Sequence, residues 1–240
     1  MPYRTLNLEK TQDTLRRLVA RIEERFPESG LLQVGRELFQ IAQETESRIM
    51  WIALPNTPLR MLVGLLIFLF GVLFVLGFLA VDFRVGPFPM IEFIQALEAG
   101  LNDVVLIGAA IFFLVSIEAR MKRARVLTSL NELRTIAHVI DMHQLTKDPT
   151  EIHGQGRDTA SSPHRTMDAF ELNRYLDYCS EMLSLTGKLA SLYAQSFPDD
   201  RVVSSVNEVE VLTTGLSRKI WQKIFLIQQQ SKTSRDSTAQ

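Results

Sequence analysis

From Met61 to Val81 the chain reads MLVGLLIFLFGVLFVLGFLAV, about 21 side chains without a charge, an amide or a hydroxyl, which is the length an α-helix needs to cross a bilayer core. The run predicts a membrane protein. A second run, Val104 to Ile117 (VVLIGAAIFFLVSI), is shorter: about 14 residues rise only about 21 Å, a length shared with buried and re-entrant helices. Its flanks, Leu101 to Asp103 and Ala119, extend it to roughly 19 residues and set the Asp103 and Glu118 carboxylates at headgroup depth, so it too predicts a span. Arg120, Lys122, Arg123 and Arg125 follow this second run, whereas the stretch between the runs holds Arg84 as its only basic residue beside Asp82, Glu92 and Glu98. The positive-inside bias then predicts cytoplasmic termini and an external connector, with Arg48, Trp51 and Arg60 as a weaker inner anchor before the first span.

The rest of the chain is charged and helix-patterned. A formal net charge of −1 over 240 residues gives no basic excess to point to nucleic acid. Cys179 is the single cysteine, which excludes an internal disulfide and a cysteine metal cluster and reads as a small buried residue on a helix face. The charged residues and turns ahead of the first apolar run do not read as a signal peptide, nor does their acidic content suit a transit peptide, so the first span is expected to stay as an anchor.

Asn7 is placed to cap a helix with Leu8, Leu15, Leu18, Ile22 and Phe26 on one stripe, ended by Pro27 and Gly30. A second helix, about Leu31 to Ala53, continues the pattern through Leu38, Ile41, Thr45, Ile49 and Ile52, and Pro55 and Pro58 break the chain after it. These two form a hairpin or lie along the inner leaflet, and the pattern permits either. After the second span the apolar positions follow 4-3-4-3 spacing: Val126, Leu130, Leu133, Ala137 and Ile140; then Leu172, Leu176, Cys179, Leu183, Thr186, Ala190 and Tyr193; then Val202, Val206, Val209, Thr213, Leu216 and Ile220. Three heptad seams predict helices packed lengthwise in a coiled-coil-like bundle. The predicted fold is all-α: a cytoplasmic amphipathic hairpin at 1–58, spans at 59–81 and 101–119 with the external connector 82–100, a cytoplasmic bundle at 120–230 interrupted by a mobile Gly, Pro and Ser-rich loop at 147–166, and a disordered polar tail at 231–240.

Helix lengths of about 43 Å and 45 Å on either side of the loop fold His138 back near Arg174 and Asp141 near Glu171 or Arg174, with Tyr178, Lys219 and Lys223 close by. His138, Asp141, Arg174 and Tyr178 are therefore expected to form a buried polar network that fixes helix register. The alternative, a metal held by His138 and Asp141 with Asp168, Glu171 or Asp177, lacks the Glu-x-x-His and His-Glu-x-x-His signatures, and neither a metal nor a cofactor is expected. No phosphate loop, nucleophile elbow or kinase signature occurs. In the spans, Gly64 with Gly71 and Ala109 with Ser116 offer small-residue stripes for close helix packing. Glu98, Asn102 and Asp103 would form an outer mouth if several copies enclosed a pore.

The stretches ELRTIAHVIDMHQLTKDP, YLDYCSEMLSLTGKLASLYAQ and GLSRKIWQKI resemble a family of uncharacterised bacterial two-span membrane proteins, over the cytoplasmic half of the chain. That resemblance implies a bacterial cytoplasmic (inner) membrane and no assigned reaction. The expectation is a non-enzymatic membrane scaffold or regulatory interaction protein that acts as a homo-oligomer, with the bilayer and a cytoplasmic protein as partners and no nucleic acid. The alternative is an oligomeric ion channel or transport accessory gated by the cytoplasmic bundle.

Overall fold

The computed structural model describes residues 4–80, 90–147 and 167–238 and contains no strand among them. Six helices follow one another: α1 (Leu8–Arg25), α2 (Gly30–Ala53), α3 (Thr57–Ala80), α4 (Met90–Leu145), α5 (Ala169–Ser196) and α6 (Asp200–Thr238). They divide into two compact units, one of residues 54–124 and one of residues 1–53 with 125–240.

In the larger unit each expected helix start has a physical cause. The Asn7 side chain accepts from Lys10 N–H at the head of α1, and Asp168 with Glu171 forms a reciprocal capping box at the head of α5. Between α1 and α2 the turn takes Glu28 to a φ of 61°, a left-handed conformation that costs a non-glycine residue roughly 1–2 kcal/mol. The predicted stripes point inward. Leu15, Leu18, Ile22, Leu38 and Thr45 are fully buried, as are Val126, Leu130, Leu133, Ala137 and Ile140 on α4 and Leu176, Cys179, Leu183 and Tyr193 on α5. All belong to, or sit within, one continuous core, so the N-terminal hairpin packs on the other helices of this unit through its apolar stripes.

Most packed helix pairs run antiparallel, and α2 runs parallel to α5, with Gly35 near Met182 and Thr45 near Tyr193. Leu6 and Gln195 exchange two hydrogen bonds while Arg21 pairs with Glu181, which sets α1 antiparallel to α5. Gly30 meets His143 and Arg48 meets Glu132, so α2 is antiparallel to α4. Gly187 lies against Thr213 and Ser191 donates to Glu210, so α5 is antiparallel to α6. α5 touches α1, α2 and α6. A second apolar stripe on α5, Tyr175, Tyr178, Met182, Leu185, Leu189 and Leu192, is also buried, because α1 and α2 cover the flank that α6 leaves open.

The smaller unit consists of α3 and the first part of α4. Both helices are long and apolar enough to cross a membrane, and none of the most apolar stretch of either is buried in the structure. Their polar ends are tied together: Glu118 accepts from Asn56 N–H (3.2 Å), Arg60 Nε (3.1 Å) and Lys122 Nζ (3.0 Å), and Lys122 also donates to the Leu54 carbonyl (2.8 Å). Gly64 and Gly71 have nothing within 4 Å of where a Cβ would stand, so no described side chain packs on their small-residue stripe.

Two boundaries differ from the sequence expectation. Helix α4 begins at Met90, so the later half of the 82–100 connector is helical, and nothing in 90–98 breaks a helix. Helix α6 continues to Thr238 where a disordered tail is expected at 231–240; no Gly or Pro follows Gly215, and Gln, Lys and Arg sustain helix well. The expected mobile loop lies outside the described residues, apart from its first residue, Lys147.

The contact between α2 and α4 supplies a test. A methyl group added at Gly30 would stand 2.4 Å from His143 Cε1. The clash is with the tip of a half-buried ring that can turn aside, so Gly30→Ala should destabilise the protein by no more than about 1 kcal/mol, despite the helix-propensity gain. In a His143→Ala background the same change should be neutral or favourable by about 0.5–1 kcal/mol. Equal effects in the two backgrounds, measured by chemical denaturation, would contradict this packing.

Candidate functional site

The structure does not bring His138, Asp141, Arg174 and Tyr178 into one network, which corrects the sequence expectation. His138 is exposed on α4, and Asp141 accepts from Gln144 Nε2 at 2.6 Å. Arg174 is exposed on α5, contacts Asp177 at 3.4 Å and has its guanidinium 5.8 Å from the Phe170 ring centre. Tyr178 packs edge-on against Phe26 beneath Arg21. The reason is helix phase. His138 follows the buried Ala137 by one position and Arg174 lies midway between the buried Leu172 and Leu176, so each turns off its seam, and the α5 flank that carries Tyr178 is occupied by α1. Lys223 does reach the end of α4, but it donates to the carbonyls of Gln144 (2.8 Å) and Lys147 (3.0 Å).

Arg174 and Tyr178 instead line a crevice with Arg21, Glu24 and Arg25. Its charges are largely matched, since Arg21 is bidentate on Glu181 and Arg174 contacts Asp177. Burial raises the Asp177 carboxyl above its ordinary range, and the thiol of Cys179 is pushed up to about 12 by burial, so that thiol is held as an inert core residue. Burial, with the charge of Lys147 beside it, holds His143 below the usual imidazole range. Among the described residues no three His, Cys, Asp or Glu side chains come together as a metal-ligand set.

In the smaller unit, Glu98, Asn102 and Asp103 are exposed on α4, with Glu98 and Asn102 one helical turn apart. Ala109 is exposed and Ser116 donates to the Phe113 carbonyl, so Ser116 spends its hydroxyl within its own helix.

The most developed polar constellation was only partly legible in sequence. It lies at one end of the larger unit, where α2 closes and residues 125–132 of α4 begin. Arg48, with its side chain 28% exposed, donates to Glu132 (2.5 Å), Glu44 (2.8 Å) and Ser129 Oγ (3.1 Å). Beneath it the fully buried Tyr193 hydroxyl donates to Thr45 Oγ1 at 3.2 Å, and Thr45 donates to the Ile41 carbonyl, which explains a threonine at a core position of the α2 stripe. The Arg125 guanidinium lies 3.5 Å from the centre of the Trp51 ring. Together these residues border a crevice of about 490 Å³ that also includes Ser47, Ile52 and Thr128. The sequence marks Arg48, Trp51 and Arg125 as interfacial residues, and the Glu44–Arg48 spacing of four is a visible helix pair; the Glu132 partner is set only by the tertiary pairing of α2 with α4. No family model matches the chain, and no curated protein or solved structure matches it.

The Arg48–Glu132 bridge joins two helices at partial exposure, so a double-mutant cycle with Arg48→Met and Glu132→Gln should give a coupling of roughly 0.5–1.5 kcal/mol, reduced from a buried pair by solvent screening. A coupling near zero would show that the two side chains do not pair.

Proposed function

We propose that the chain is a membrane-anchored, non-enzymatic helical scaffold: α3 and the first part of α4 span the bacterial cytoplasmic membrane, and the remaining helices form a cytoplasmic bundle that recruits or regulates a protein partner. The observation that carries this reading is the joint where the two parts of the chain connect. Ala53 and Arg125 are the residues at which the chain passes between the packed unit and the apolar helices, and the stack of Arg125 on Trp51 sets both exits at one end of the packed unit. Trp51 and Arg125 stand ten and eight residues from the apolar runs, and Trp with Arg is the composition of a membrane interface. Gly64 and Gly71, open within the chain, support assembly with further copies, since small residues let neighbouring spans approach closely. A second reading, an oligomeric channel or transport accessory gated by the bundle, draws on the exposed Glu98, Asn102 and Asp103, which would ring the outer mouth.

Labelling with a membrane-impermeant maleimide tests the topology. The buried Cys179, with its thiol pushed up to about 12, should stay unlabelled at neutral pH, so added cysteines report alone. In right-side-out vesicles Gln95→Cys should label and Lys188→Cys should not, and both should label once the membrane is permeabilised. Equal labelling of both sites before permeabilisation sinks the two-span arrangement. Light scattering in mild detergent should give a mass above the monomer, and ion flux in proteoliposomes at the level of empty vesicles separates the scaffold from the channel.

A further inference from the structure

We infer that the crevice at the Trp51–Arg125 end binds the phosphodiester headgroup of an anionic phospholipid, an inference that rests on the membrane-anchored reading above and gives that site its ligand. The two arginines there are not equivalent. Arg48 is compensated by Glu44 and Glu132, whereas Arg125 takes part in no ion pair among the described residues. Its guanidinium carbon instead lies 3.5 Å from the centre of the Trp51 ring, the contact distance of a face-on stack, and such a stack leaves the N–H edges free of the ring. A planar fork of donors held at an aromatic surface matches two oxygens of a phosphate in a way that a lysine does not.

The crevice also discriminates by charge and by shape. Arg48 is shared between two carboxylates, so Arg125 is the one cation of the crevice outside that triad and the point at which a phosphate is received. The two chemistries that receive a choline or ethanolamine ammonium are both engaged: the Trp51 face by Arg125, and the Glu132 carboxylate by Arg48. The buried side chain of Ile52, only 4% exposed, gives the crevice an apolar floor for the glycerol and upper acyl carbons. Chain connectivity supplies the ligand. Met61, where the first apolar run begins, follows Ala53 by eight residues, and Ile117, where the second ends, precedes Arg125 by eight, so this end of the packed unit is the one nearest in sequence to both runs.

The full-length protein in detergent, titrated with phosphatidylglycerol or phosphatidylcholine and read by native mass spectrometry, tests the site. Wild-type protein should retain phosphatidylglycerol in preference to phosphatidylcholine. Arg125→Gln should weaken phosphatidylglycerol retention at least tenfold, more than the roughly fivefold that one basic residue contributes through general attraction to an anionic surface. Arg125→Lys, which keeps charge and fold but not the planar stack, should weaken it nearly as much. Arg120→Gln, which removes the same charge outside the crevice, should change it by no more than the roughly fivefold of that general attraction. Equal losses in Arg125→Gln and Arg120→Gln, full retention in Arg125→Lys, or displacement by millimolar glycerol phosphate or inorganic phosphate would each overturn the proposal. The outcome stands apart from the labelling test: selective loss in Arg125→Gln supports the headgroup site even where the labelled cysteines reject the two-span topology.

Discussion

Helix α5 carries two apolar stripes at heptad spacing, one through Leu176, Leu183 and Ala190 and the other through Tyr178, Met182 and Leu189, and both are out of solvent. Only a polar strip with Asp177, Glu181, Ser184 and Lys188 stays outside the core. A helix with so wide an apolar surface cannot be satisfied by one neighbour, because an ordinary amphipathic helix needs cover over about 100° of its circumference and α5 has roughly twice that. Every other helix of the packed unit follows from this requirement: α6 lies along one stripe, α1 and α2 close over the other, and α4 completes the core with Val126, Leu130 and Leu133. Each fully buried leucine of this kind contributes on the order of 2–3 kcal/mol, so the core is a sum over many positions and no single polar contact holds it.

Polar interactions set register and ends. Tyr193 on Thr45 fixes the height of α2 against α5, and Arg48 on Glu132 fixes α2 against α4. At the other end of the unit, Lys223 satisfies carbonyls left open where α4 closes, as a cation does well at a helix C-terminus. These contacts are spread along the helices, which is why they specify one arrangement among the many that apolar stripes alone would allow.

The seams of α4, α5 and α6 were legible because a period of 3.5 survives in single residues: Val126 to Ile140, Leu172 to Tyr193 and Val202 to Ile220 are buried at the positions the spacing marks. So were the Asn7 cap and the two apolar runs. The second α5 stripe also has heptad spacing in the sequence, but a stripe does not name its cover, and the docking of the N-terminal hairpin was left open for that reason. The polar network around His138 failed because helix lengths fix how far along a helix a residue lies, and the phase about the helix axis is set by the neighbours. Placing Arg174 opposite Asp141 required both, and α1 turned that flank of α5 toward Phe26 and Arg21. Arg48 was visible as one half of a helix pair with Glu44, while its bridge to Glu132 crosses between helices and leaves no local trace.

The dependence of the packed unit on α5 is tested most directly by hydrogen exchange on the full-length protein in a bilayer nanodisc. Amides of α5 around Leu183 should be the slowest, and those of α1 around Leu18 and α2 around Leu38 should share the same cooperative opening, because all three line one core. Fast exchange of α1 and α2 beside a protected α5 would contradict the account, since it would mean that the second α5 stripe is covered by something other than the N-terminal hairpin.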